Sequence, residues 1–594
     1  MQRRRLILGA ILAAAFALRL GHWLAVRHEP FVAQLIVDSQ EYDRWAQEIA
    51  SGQWIGTRVF EQAPLYPYVL AAAYKVAGHT VAVVYLLQIV ASIFGLWALA
   101  RAGRAIGQED AGLIAAGLGA LYGPFLFYDV LVLKESLAVT TVCFLLWALA
   151  AAAASGRPSR WLVAGGVLGV LVLLRENALL TVPFLALLAV RRPFRLAPAG
   201  AFVLGAILPL VPVAARNAYV GGDLLPTSAS GGMNFYIGNN ATADGTFRPV
   251  VPGKQIPALE QQESRRVAEV AVGHALTPGE VSSWWMKRSL TWASAHPGAF
   301  VLLQLRKVGL YWAWPELPDT FDYAWMRTRS FVLGLPLLQF GTVSLLAIAG
   351  FGLILHRRTL GTWAPAWALA GAWMLSTVVF FLLSRYRLPG IPPLLLLAAL
   401  PLATLFEGRA LRTRAWWSGA VAAGLAIAVS LVPASKARAD LVEYNLGRLA
   451  QEKGDVAEAE KRFAAALDAN PDMFLASMNL GTIAAGRHDF VRARAFFERA
   501  AASEPASDDV QCNLGGVYLA LGDLPSAEAH LNRALELNPR NLLALQNETV
   551  LLTRRGDLTG ATAMNARLLA LDPENGAGLR MRDRIAEASK GLGS

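Results

Sequence analysis

Long apolar runs recur through the first 435 residues of this 594-residue chain, separated by short clusters of arginine. That pattern leaves few folds open. In a bilayer every backbone polar group has to find its partner inside its own element, so such runs become crossing helices. Candidate spans lie near 6–26, 80–100, 111–128, 131–153, 161–174, 178–190, 197–215, 329–355, 361–383, 388–405 and 416–433. Several fall short of the roughly 20 residues a crossing helix needs. The opening MQRRRLILGA has the form of a signal peptide. The many later runs, and Arg19 within the first one, favour a retained span.

Charge supplies the orientation. Only 16% of residues are charged, against about 25% in a soluble protein. The net charge is +11, yet the basic residues sit between apolar runs and make no nucleic-acid face. With Arg3–Arg5 in the cytoplasm, the inside loops carry Arg101 and Arg104, Arg157 and Arg160, Arg191, Arg192 and Arg195, Arg357 and Arg358, and Arg409, Arg412 and Arg414. All are short and basic, as the positive-inside rule requires. The outside segments are then 27–79, a turn near 129–135, 216–328 and a turn at 384–387. About eleven spans, an odd number, place the C-terminal region outside as well. The expected location is the inner (plasma) membrane, multi-pass, with the C-terminal region and the functional face on the periplasmic side. Cys143 lies inside an apolar run and is not expected to pair with Cys512.

The C-terminal region has a period. Asn-Leu-Gly occurs at Asn445–Gly447, Asn479–Gly481 and Asn513–Gly515, in steps of 34 residues. Pro471, Pro505, Pro539 and Pro573 keep the step, as do Asp455, Asp489, Asp523 and Asp557, and Ala459, Ala493, Ala527 and Ala561. A 34-residue period with small residues at the helix contact resembles the tetratricopeptide repeat. The predicted organisation is all-α: a membrane bundle over 1–435, four repeats over 440–575 and a tail at 576–594. Glu548, Thr549 and Asn565 make the fourth repeat polar, as a solvent-facing cap would be. Such a solenoid is read as a binding surface for a protein partner or acceptor.

The outside loops hold the residues able to do chemistry. DSQEYDRWAQEIASG at 38–52 reads as an amphipathic surface helix, PLYPYVLAAAYKVAG at 64–78 as an interfacial helix, and 221–256 as a folded loop. Asp38 could accept a proton as general base or could be an ordinary acid at a helix start. Glu61, beside Gln62, could contact a sugar or simply fix its loop. Asp129, Lys134 and Glu135 crowd a tight turn near the membrane, where charge is expensive. They could be functional, or Lys134 and Glu135 could pair with each other. Arg175, Arg385 and Arg387 lie at outer ends of spans, where a guanidinium can fork onto phosphate or snorkel to the interface.

Taken in order along the chain, these motifs resemble the membrane glycosyltransferases of the C-type fold. The likeness is greatest to bacterial members of glycosyltransferase family 39, the protein mannosyltransferase and aminoarabinose transferase relatives. Asp38, Tyr42 and Ala46 match their D-x-x-x-Y-x-x-x-A pattern. Glu61 with Pro64–Pro67 matches their loop acid and P-L-x-P, and Glu135 their second-turn acid. Residues 215–247 match their Arg-Asn and Gly-Asn-Asn segment, and RYRLPGIPPLLLL their late Arg-Tyr span. Two positions depart from the pattern: Gln62 stands where the aminoarabinose transferases have Lys, and Glu135 is alone where an Asp-x-Asp-like pair occurs.

The resemblance implies a polyprenyl-phosphate-linked monosaccharide as donor and inversion at the anomeric carbon. Asp38 would be the base. Arg385 and Arg387, with Arg175 and Arg216, would bind the lipid phosphate. Glu61 and Glu135 would orient sugar or acceptor. No cofactor is called for beyond that donor. No His/Cys ligand cluster appears, so a divalent metal is not indicated. Two other classes stay open at this level: a flippase for lipid-linked sugars, which should carry midplane charges on broken helices, and a non-catalytic anchor presenting the repeats.

Overall fold

The computed structural model describes residues 2–190, 196–251, 253–254, 257–314, 316–317, 319–406, 421, 424 and 438–591. Helices dominate the described residues, with no strand among them; two isolated bridges, Tyr122 to Leu338 and Thr246 to Leu382, are the remaining ladder contacts. The chain divides into two compact units: Met1–Val250 with Ile256–Ala437, and Val251–Gln255 with Arg438–Ser594.

Among the described residues of the first unit five helices are long and apolar enough to cross a membrane: Gln2–Val26, Val81–Ala105, Glu135–Ser155, Ala197–Gly221 and Ser384–Leu405. Shorter apolar helices run over Pro158–Val172, Glu176–Leu187 and Phe340–His356. Large apolar side chains point outward from these elements, among them Phe94, Val163, Leu204 and Ile348. A bilayer solvates such a surface; water does not.

Glycine sets how closely the helices approach. Gly165 and Gly169, four apart on Pro158–Val172, face helix Ala197–Ile207, and a Cβ on Gly165 would collide with the Phe202 carbonyl. Gly205 meets the Leu162 carbonyl in the same way. Small residues at this spacing bring backbones together where no hydrophobic effect between helices is available.

Several expected spans are interrupted. Run 111–128 divides into Glu109–Ala120 and Gly123–Tyr128, with Pro124 at the start of the second piece. Run 329–355 becomes Phe331–Gly334 and Phe340–His356, with Pro336 between them. Run 178–190 begins as the 3-10 segment Glu176–Thr181 before Val182–Leu187. Proline lacks the donor that would continue each helix. The expected span at 416–433 falls outside the described residues, apart from 421 and 424.

The segments expected outside are helical too. Asp38–Ala50 and Leu65–Ala77 form as expected. The segment read as a loop at 221–256 contains the helix Gly231–Gly238. Helices Pro257–Val272, Pro278–Ala295 and Pro297–Tyr311 follow. Each starts at proline, which suits a first turn whose N–H has no acceptor. The second adds a full capping box between Thr277 and Glu280.

The second unit stacks four helix pairs from Ala439–Glu452 to Leu558–Leu571. Its period has a physical cause at each position. Asp455, Asp489, Asp523 and Asp557 each cap the second helix of a pair by accepting a backbone N–H three residues on. Ala459, Ala493, Ala527 and Ala561 are fully buried. Gly447 and Gly481 lie against the rings of Phe463 and Phe497, where a side chain would not fit.

The end of this unit differs from expectation. Residues expected as a tail form the helix Gly576–Gly591. Glu548, Thr549 and Asn565 are buried, not solvent-facing. Asn565 Nδ2 donates to the Gly578 carbonyl at 2.9 Å, so its polarity serves the packing of that added helix.

Candidate functional site

Helix Asp38–Ala50 starts under strain. Val37, immediately before it, has φ of 50° and ψ of −121°. A β-branched residue at positive φ costs about 1–3 kcal/mol and persists only where the surroundings hold it. Asp38 does not use its side chain to cap the helix. Its Oδ2 accepts from Arg385 Nη1 at 2.6 Å, across 347 residues. Arg385 Nε also lies 3.1 Å from Asp319 Oδ2. One guanidinium therefore stands between two carboxylates, all three largely buried. Burial holds the Asp319 carboxyl above the usual range despite Arg385.

A second pair adjoins the first. Arg175 binds Glu135, and both are buried. The Tyr386 ring is 4.7 Å from the Arg175 guanidinium and 5.5 Å from that of Arg385. Tyr42, one turn beyond Asp38, faces the same group: its ring is 5.9 Å from Lys134 Nζ. Burial, then the charges of Asp38 and Glu135, push its hydroxyl far up. Lys134 and Glu135 do not pair with each other, since Glu135 is taken by Arg175. The structure thus joins Asp38, Glu135, Arg175 and Arg385 from residues far apart in sequence.

The other expected residues lie elsewhere. An extended SRYRLP turn would point Arg385 and Arg387 the same way. Ser384–Arg387 is instead a helical turn, in which residues two apart diverge by about 200°. Arg387 is buried, with Nη2 2.9 Å from Glu316 Oε2, Nη1 2.8 Å from the Ala313 carbonyl, and its head 3.9 Å over the Phe340 ring. It fastens Ala313 and Glu316 to the start of the span. Leu317 N, which donates to Ser384 Oγ at 2.5 Å, completes that joint. Removing one member of a buried pair costs about 3–5 kcal/mol. Arg387→Ala is accordingly expected to lower the melting temperature in detergent and the expression level sharply. A well-folded Arg387→Ala that loses donor binding would return it to the site.

Arg216 stacks 3.8 Å over the Phe60 ring and donates through Nε to the Ile55 carbonyl at 2.7 Å. Among the described residues no hydrogen bond or ion pair joins it to Asp38 or Arg385. Glu61 is half-buried; burial raises its carboxyl, and the charges acting on it are Arg58, Arg265 and Glu41. Its backbone carbonyl accepts from Ser230 Oγ.

Sequence reasoning missed Asp319 and Glu316, which follow no periodicity and no motif. Their placement near Pro315 and Pro318, just before a late span, was the available signal. It also missed what the amide motifs do. Asn239 accepts from Lys307 Nζ at 2.9 Å and Gln304 Nε2 at 2.7 Å, and donates to the Val379 carbonyl at 2.8 Å. Lys307 donates to the Phe380 carbonyl at 2.7 Å. Asn217 donates to the carbonyls of Leu225 and Thr227. These residues brace the loops that carry Arg385 and Glu61. Arg19, an interruption in the first span, forms a buried pair with Asp129 at 2.7 Å, and Ser136 also holds Asp129. Among the described residues no group of three His, Cys, Asp or Glu is arranged to hold a metal.

Residues 61–216 match the family of dolichyl-phosphate-mannose-protein mannosyltransferases. The matched segment contains Glu61, Glu135, Arg175 and Arg216; Asp38 and Arg385 flank it. Residues 444–509 and 484–548 match tetratricopeptide repeat families. The chain is thus a membrane-integral protein with a mannosyltransferase-like segment and a repeat domain of the kind that binds proteins. No curated protein matches it.

Solved structures resemble the repeats. YrrB, a tetratricopeptide protein with an unusual peptide-binding site, is 21% identical over 25% of this chain and 76% of its own, with a TM-score of 0.23. MamA is 18% identical over 26% and 89%, also at 0.23. A mutant of the Thermobaculum terrenum O-GlcNAc transferase is 25% identical over 22% and 26%, at 0.21. Likenesses at these TM-scores say nothing about function.

Proposed function

We propose that this protein is an inverting membrane glycosyltransferase. It moves a monosaccharide from a polyprenyl-phosphate donor to an acceptor hydroxyl on the outer face of the membrane. The repeats hold a protein partner or the acceptor. The observation that carries the reading is Asp38 on a strained helix start, ion-paired to Arg385 beside Asp319.

In this mechanism Asp38 accepts the acceptor's hydroxyl proton as its oxygen attacks the anomeric carbon. The bond from that carbon to the phosphate oxygen breaks on the opposite side. Arg385 moves from Asp38 to the phosphate and stabilises its growing charge, with Asp319 keeping the guanidinium aligned. Phosphate is a competent leaving group without a proton, so no second acid is required, unlike the two-carboxylate glycosidases. Arg175, paired with Glu135, orients the same region through Tyr386. Arg216 and Glu61 act at the rim.

The test is transfer by the purified protein in nanodiscs, supplied with polyprenyl-phosphate-linked mannose, glucose, galactose and N-acetylglucosamine and with envelope extract as acceptor. Release of polyprenyl phosphate with inverted glycosylated product is expected for one of them. Translocation of intact donor without release, in proteoliposomes, would sink the reading in favour of a flippase. The topology has its own check. An export-dependent reporter fused to the C-terminus should be active, and activity of a cytoplasm-only reporter there would separate the repeats from the proposed catalytic face.

A further inference from the structure

Glu260 sits in the first turn of helix Pro257–Val272, in the long outer loop. Acids are common in first turns, where the helix dipole favours them and solvent covers them. Glu260 has the dipole but not the solvent. It is 8% exposed, and among the described residues its Oε1 has no hydrogen-bond partner. One contact is made, with the backbone N–H of Val250, which lies outside its own helix. Leaving a buried polar oxygen unmatched costs about 1–3 kcal/mol, so such an atom calls for a partner that arrives later.

The neighbours locate that partner. Burial, opposed by the Val250 N–H and aided by the Asp38 charge, pushes the Glu260 carboxyl up to about 8. Near neutral pH Glu260 is therefore a neutral acid, able both to donate and to accept. The adjacent Gln261 Nε2 donates to Ser230 Oγ at 2.5 Å, and that hydroxyl donates to the Glu61 carbonyl. One turn on, Arg265 acts on the Glu61 carboxyl. Helix Pro257–Val272 is thereby tied to the loop carrying Glu61, and Glu260 on it lies within reach of the Asp38 charge.

We propose that Glu260 binds a hydroxyl of the monosaccharide being transferred, so that helix Pro257–Val272 reads the sugar above the Asp38–Arg385 pair. The inference rests on the proposed glycosyl transfer. It names the ligand as a polyhydroxylated, uncharged ring: a buried neutral acid has no countercharge to offer a cation or an anion, whereas a sugar hydroxyl matches its donor and acceptor capacity. The role is one of binding and positioning; Glu260 exchanges no proton with the reacting atoms.

The test measures transfer rates in nanodiscs with the polyprenyl-phosphate sugar from the four above that the wild type uses, and with its 2-, 3-, 4- and 6-deoxy analogues. For wild type, one deoxy donor is expected to fall about 10- to 100-fold in kcat/KM, the loss a buried unmatched group imposes. In Glu260→Ala the full sugar should fall by a similar factor, and the penalty for that one deoxy position should vanish. Glu260→Gln keeps neutral donor and acceptor atoms and should recover most of the rate. An active wild type whose deoxy penalties persist unchanged in Glu260→Ala overturns this inference and leaves the transferase reading standing. A wild type inactive on all four sugars overturns both.

Discussion

Asp38→Asn is expected to reduce sugar transfer 100- to 10,000-fold, the usual range for loss of a general base. An amide keeps the shape and the hydrogen bond to Arg385 but takes no proton near neutral pH. Arg385 retains Asp319 as its counter-ion, 3.1 Å away, so the fold should lose little. Donor affinity should likewise hold, because the phosphate is not bound by Asp38. The measurement is single-turnover transfer in nanodiscs alongside donor binding and melting temperature. Near-normal turnover by well-folded Asp38→Asn would move the base to Glu61 or Glu135. Of these, Glu135 is the harder to assign, since Arg175 already holds it. Glu61 shares no hydrogen bond or ion pair with Asp38 among the described residues.

Arg385→Ala should show the second large effect, with transfer reduced roughly 100- to 1,000-fold, as for the loss of one group that stabilises developing charge. It will also unbalance the fold. Asp38 and Asp319 would face each other without a cation, and breaking a buried pair costs about 3–5 kcal/mol. The double variant Arg385→Ala with Asp319→Asn separates the two effects: it should recover melting temperature without recovering transfer. Arg385→Lys keeps the charge but loses the planar fork, and a point charge cannot serve Asp38 and Asp319 in one geometry. Its transfer should lie between wild type and Ala. Unchanged donor affinity and rate in a well-folded Arg385→Ala would leave Arg175 as the phosphate ligand.

Arg385 and Arg387 show why neighbouring residues of one motif part company. Both stand in SRYRLP, and the sequence offers no reason to rank them. The backbone there closes into a helical turn, which sends Arg385 to Asp38 and Asp319 and buries Arg387 against Glu316 and Phe340. The chemistry of the two side chains is identical; their direction is not. A similar separation divides Arg175, which reaches Glu135 and Tyr386, from Arg216, which stacks on Phe60.

What the sequence by itself determined is whatever rests on local periodicity. Apolar runs of helical length, the short basic clusters between them and the 34-residue step of the repeats are each readable over a few turns, because burial and capping repeat with the helix. The amphipathic helix beginning at Asp38 belongs to the same class. Tertiary structure alone decided the rest. Asp319 and Glu260 lie in the long segment between two spans and follow no motif; Asn239, Lys307 and Leu317 fasten that segment to the residues around Ser384, where Asp319 meets Arg385 beside Asp38. Asn565 looks like a surface residue until helix Gly576–Gly591, whose Gly578 carbonyl it holds, is in place. Burial of a polar group is a property of what packs over it, and that partner is distant in the chain.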